Sequence, residues 1–68
     1  MYYYVCNLFG VWRRVSKERY ERFVLHIVTG SNAPYAKKVA ALEQRTFVSE
    51  LPLSRSQLVS LAAKKGNA

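Results

Sequence analysis

Val15-Ser16-Lys17-Glu18-Arg19-Tyr20-Glu21-Arg22-Phe23-Val24-Leu25-His26-Ile27-Val28-Thr29-Gly30 carries the start, the periodicity and the stop of a helix. Ser16 is a good N-cap, because its hydroxyl can accept one of the orphan amide N–H groups of the first turn. Val15 and Tyr20 stand at the N′ and N4 positions of a hydrophobic staple. Tyr20, Phe23, Val24 and Ile27 recur at i, i+3, i+4 and i+7, one apolar stripe on a 3.6-period surface. Lys17, Glu18, Glu21 and Arg22 occupy the other side, and Gly30 can take the left-handed conformation that ends a helix. The rest of the chain is expected to fold against this stripe.

Upstream of the helix, Tyr2 to Cys6 is aromatic and β-branched, which favours a strand. Asn7-Leu8-Phe9-Gly10 supplies turn chemistry, with Gly10 suited to a positive φ, and Val11 to Val15 returns as a second strand. Pairing Cys6 with Val11 sets Tyr4 opposite Arg13 and Tyr3 opposite Arg14. One face then carries Tyr2, Tyr4, Cys6, Val11, Arg13 and Val15, and the other Tyr3, Val5, Trp12 and Arg14. Neither face is purely apolar, so the pattern leaves open which one packs on the helix.

Downstream, Ser31-Asn32-Ala33-Pro34 is a loop by composition, and Pro34 suits the first turn of a second helix over Tyr35 to Gln44. Tyr35, Val39 and Leu42 form its stripe. Thr46 to Leu51 alternates and contains Phe47 and Val48, a candidate third strand closed by Pro52. Ser54 with Gln57 is a capping box and Leu53 with Leu58 a staple. Leu58, Leu61 and Ala62 form the buried side of this last helix, Lys64 and Lys65 complement its dipole, and Gly66 ends it. The order is β-β-α-α-β-α: an α+β fold, with a small antiparallel sheet (an N-terminal β-hairpin plus a possible third strand) covered on one face by two or three helices. Two strands with three helices is the competitor, should Thr46 to Leu51 prove irregular.

A chain of 68 residues makes one domain. At this size only ~60% of the unfolded surface is buried, so the core must be well filled or shared. Half the residues are hydrophobic and 22% are charged, a globular composition. The single cysteine, Cys6, rules out an internal disulfide framework, and one histidine beside it makes no zinc site. The N-terminus lacks the basic region of a signal peptide, and the longest apolar run, around His26, falls far short of the ~20 residues that span a bilayer. A soluble protein of the reducing cytoplasm is expected.

Catalytic patterns are missing. There is no GxSxG, P-loop, HExxH or CxxC sequence, and the acidic residues are glutamates alone. Glu18 and Glu21 lie among Lys17, Arg19 and Arg22 as solvated helix pairs. Cys6 and His26 are the one conceivable nucleophile–base pair, and each reads more simply as a packed side chain. A non-enzymatic protein without cofactor or metal is expected.

Eleven Lys and Arg against four acidic residues give a net charge of +7. Such a field draws nucleic acid or an acidic protein surface. Trp12 and Arg14 would share a face with Tyr3, and Arg13 a face with Tyr2 and Tyr4, so either face sets a ring beside a guanidinium. That combination stacks bases and neutralises phosphates. Tyr3, Trp12, Arg13, Arg14, Lys17, Arg19 and Arg22 are therefore the candidate binding residues. The competing explanation is packing for the rings and solvation for the arginines. Lys37-Lys38 and Lys64-Lys65 read as solubilising doublets.

Gln57-Leu58-Val59-Ser60-Leu61-Ala62-Ala63-Lys64-Lys65-Gly66-Asn67 resembles the first helix and glycine turn of the helix-turn-helix family. The resemblance spans about eleven residues and stops before a recognition helix, which groove reading requires. No function is carried over from it. Two functions compete: a basic nucleic-acid-binding module, and an accessory or inhibitor that docks on a larger protein. The second is an analogy of scale with small phage and mobile-element proteins. An exposed hairpin edge also permits a homodimer. The basic residues are dispersed rather than gathered on one amphipathic helix, so no membrane partner is expected.

Overall fold

A computed structural model describes residues 1–30 and 32–65, with only the backbone at Lys65. The elements are β1 (Tyr2–Cys6), β2 (Trp12–Val15), α1 (Lys17–Thr29), α2 (Tyr35–Arg45), β3 (Thr46–Ser49) and α3 (Arg55–Lys65). They form an α+β fold in the expected order. The sheet is antiparallel with strand order β2-β1-β3, so the N-terminal strand is central. The Gly66 stop and the end of the helix-turn-helix resemblance lie outside the described residues.

The hairpin register differs by one residue from the expected one. Cys6 pairs with Trp12, Val5 with Arg13, Tyr4 with Arg14 and Tyr3 with Val15. The cause is Asn7, whose Oδ1 accepts from the amides of both Phe9 (2.8 Å) and Val11 (3.0 Å). Asn7 N–H donates to the Val11 carbonyl and Gly10 N–H to the Asn7 carbonyl, with Gly10 at φ 79°. The side chain thus takes the Val11 amide out of the ladder, and regular pairing begins at Trp12. A slip of one residue exchanges the faces of a whole strand. Trp12 and Arg14 join Tyr2, Tyr4 and Cys6, while Arg13 and Val15 join Tyr3 and Val5. On β3, Phe47 lies opposite Tyr4 and Val48 opposite Tyr3.

Each face has its own cover, which corrects the expectation of helices on one face. Tyr4, Cys6 and Trp12 are the buried core, packed by Tyr2, Phe47, Leu53, Leu58, Leu61 and Ala62, so α3 closes this side. The Tyr4 hydroxyl, itself buried, accepts from Leu53 N–H at 2.8 Å and ties β1 to the segment that launches α3. The capping box holds that start: Gln57 N–H donates to Ser54 Oγ, and Ser54 N–H to Gln57 Oε1. The opposite face is covered by α1 and α2. Tyr3 meets Tyr20 there, ring centroids 4.9 Å apart and tilted by 45°. Neither helix of this second layer has a fully buried residue. The densest packing is therefore under α3, not under the α1 stripe.

Local corrections have local causes. Ser16 caps α1 as expected, accepting from Arg19 N–H. Gly30 ends α1 in the right-handed region (φ −80°, ψ −2°), not the left-handed one. Glycine is required there because a Cβ would collide with the His26 carbonyl oxygen. Pro34 is the N-cap of α2 rather than a member of its first turn, and α2 runs on to Arg45. β3 stops at Ser49 because its hydroxyl turns the chain, accepting from Leu51 N–H and donating to the Leu51 carbonyl. Lys38 is half-buried, and its ammonium donates to the Val28 carbonyl at 2.6 Å. It fastens α2 to the negative end of the α1 dipole rather than serving as a solubilising charge.

Candidate nucleic-acid interface

Arg19, Arg22 and His26 stand at i, i+3 and i+7 of α1, so they share one flank of the helix beside the apolar stripe. That flank overhangs the β1–β2 part of the sheet. The result is a groove of about 480 Å³ with Val5, Val15 and Phe23 as its apolar floor and Arg19, Arg22 and His26 on its wall. Arg13, exposed on β2, pairs with Val5 of the floor but is not among the groove's lining residues; it lines the cavity beside α3 with Trp12, Arg55 and Leu58. Among the described residues, no carboxylate lines the groove. Glu21 lies on the other flank of α1, with Tyr20, Val24, Leu25 and Val28. Glu18 precedes Arg22 by four residues and Lys17 precedes Glu21 by four, so both flanks of α1 carry both signs of charge, and it is the groove lining that holds arginines without a carboxylate.

Arg45 closes one end of the floor. Its guanidinium lies 5.1 Å from the centroid of the Phe23 ring, and its Nη2 donates to the Cys6 carbonyl at 3.2 Å. The cation thereby holds the end of α2 against the end of β1. Burial raises the Cys6 thiol above its ordinary pKa, and the positive charge of Arg45 offsets part of that rise.

The residues singled out from sequence fall into three groups. Arg19 and Arg22 share the groove wall, while Arg13, paired with Val5 of the floor, lines the cavity beside α3 instead. Arg14 sits on the other face of the sheet, its guanidinium 4.5 Å from the centroid of the Tyr2 ring, and exposed Lys17 is not among the groove residues. Trp12 is core, 6 % exposed, and half-buried Tyr3 is engaged by Tyr20. The expected ring-and-guanidinium platform of Trp12, Tyr3 and Arg14 is therefore not assembled, because the register turns the indole under α3. Cys6 and His26 lie on opposite faces of the sheet, so they form no nucleophile–base pair.

Sequence reasoning missed His26 as part of the basic flank, although its spacing from Arg19 and Arg22 was readable. It also missed the hairpin tip, where Leu8 and Phe9 are 88 % and 90 % exposed. Among the described residues, no group of three or more His, Cys, Asp or Glu could hold a metal ion. No described helix is long and apolar enough to cross a membrane. No protein-family model, no curated protein and no solved structure matches the chain.

Proposed function

We propose that this chain is a cytoplasmic, non-catalytic binding module for nucleic acid, and that it holds the phosphate backbone along the groove between α1 and β2. The observation that carries the reading is the convergence of Arg19, Arg22 and His26 over an apolar floor, with exposed Arg13 on the strand paired to that floor and no carboxylate among the described lining residues. The net charge of +7 supplies the long-range attraction that brings a polyanion to such a site. The arginines neutralise phosphates, and the apolar floor accommodates the ribose or base edge between them.

Fluorescence anisotropy with a labelled oligonucleotide, titrated at several salt concentrations, tests the proposal. Three phosphate contacts on a single strand give a log–log salt slope of about −2, or roughly 20-fold weaker binding for a fourfold rise in salt. Arg19→Ala/Arg22→Ala, at two exposed positions, is expected to flatten that slope by about 1.4 with an unchanged fold. An unchanged slope and affinity in the double variant would remove the groove from the interaction. A second reading, docking on a protein, is favoured by the half-covered α1–α2 layer, where Leu25, Val28 and Tyr35 are exposed. It predicts a stoichiometric protein complex that survives nuclease and high salt.

A further inference from the structure

Among the described residues the hairpin tip is the most exposed apolar feature, and it is built rather than loose. Four hydrogen bonds organise the connection from Asn7 to Val11: two to Asn7 Oδ1, one from Asn7 N–H to Val11, and one from Gly10 N–H to Asn7. The positive φ of Gly10 completes the turn. On this frame Leu8 and Phe9 project almost fully into solvent, and neither packs on the core. A turn whose backbone is ordered in advance loses little backbone entropy when a ligand covers it.

We infer that Phe9, supported by Leu8, stacks on an unpaired base of a single-stranded nucleic acid whose phosphates lie along the Arg19 and Arg22 groove. This rests on the function proposed above and adds the strandedness of the ligand. Phe9 is four residues along the chain from Val5 in the groove floor, at most roughly 13 Å even were those residues fully extended, so the two features reach one short strand. A single-stranded ligand suits the tip because the face of a base is open only where the base is unstacked, and every base offers such a face. The charge of the surroundings selects a polyanion over an apolar protein pocket: Arg13 and Arg14 are exposed on the strand that leaves the tip. A duplex keeps its bases paired and stacked, so it offers Phe9 no open base face.

The test compares wild type, Phe9→Ala and Phe9→Trp on three probes: a labelled single-stranded oligonucleotide, its abasic equivalent, and the duplex. Wild type is expected to prefer the normal single strand over both others. Loss of one stacked base weakens binding about 5- to 160-fold, so Phe9→Ala is expected to fall by that factor on the normal strand alone. Phe9→Trp is expected to restore it. If Phe9→Ala matches wild type on all probes while the salt slope persists, the stacking inference is overturned and the groove reading stands. An equal loss on normal and abasic strands, or equal wild-type affinity for duplex and single strand, also overturns it. If wild type binds no probe, or if Phe9→Ala only abolishes a nuclease-resistant protein complex, both proposals fail. The exposed position leaves the melting temperature as a control for folding.

Discussion

Trp12→Ala separates the two roles the indole can have, and the structure fixes the sign and size of the result. Trp12 is 6 % exposed in a core it shares with Tyr4 and Cys6, under Leu58, Leu61 and Ala62. Truncating such a side chain to Ala costs about 3–5 kcal/mol, the transfer loss plus the cavity left behind. A chain of 68 residues has a total stability of roughly 3–10 kcal/mol at the usual value per residue. The substitution therefore removes a large part of the stability, with a fall in melting temperature of about 12–40 °C for a domain of this size. Trp12→Phe empties only part of the site and is expected to lose less. Circular dichroism melts and urea transitions of the three proteins measure this directly. A Trp12→Ala protein that melts within a few degrees of wild type, yet loses its ligand, would place the indole on the binding surface and refute the hairpin register.

Tyr4→Phe keeps the buried ring but strips the acceptor from Leu53 N–H, and is expected to cost about 1–2 kcal/mol in a urea transition. An unchanged midpoint would mean that the hydroxyl does not hold the start of α3. The raised pKa of Cys6 has a definite consequence for pH. The native state holds the thiol proton more tightly than the unfolded chain does. The corresponding stabilisation is complete below the ordinary thiol range near ~8.5 and is lost as pH rises through the native value. Urea midpoints for wild type and Cys6→Ala between neutral and alkaline pH are expected to converge as pH rises, and parallel curves would contradict the burial of the thiol.

Local signals survived folding where the interactions are themselves local. The Ser16 cap, the Ser54–Gln57 capping box and the positive φ of Gly10 all involve residues within a few positions of one another. Their free energies are settled before the chain is compact. The candidate site was legible in part for the same reason, since Arg19 and Arg22 are one helical turn apart. Trp12 and Tyr3 were misread because exposure depends on which face of a strand is turned inward.

By itself, the sequence determined the six elements, their order, the caps and turns that start and stop them, and the excess of positive charge. The tertiary structure decided the register of β2, the two-sided cover of the sheet, and which flank of α1 overhangs that sheet. One Asn7 side chain decides the first of these by occupying the Val11 amide, a choice that strand periodicity cannot see. The other two follow from it: with Trp12 turned toward Tyr4 and Cys6, α3 has a core to cover, and α1 is left to the opposite face with its arginines over the edge of the sheet. Periodicity states which residues share a face, and only packing states what that face meets.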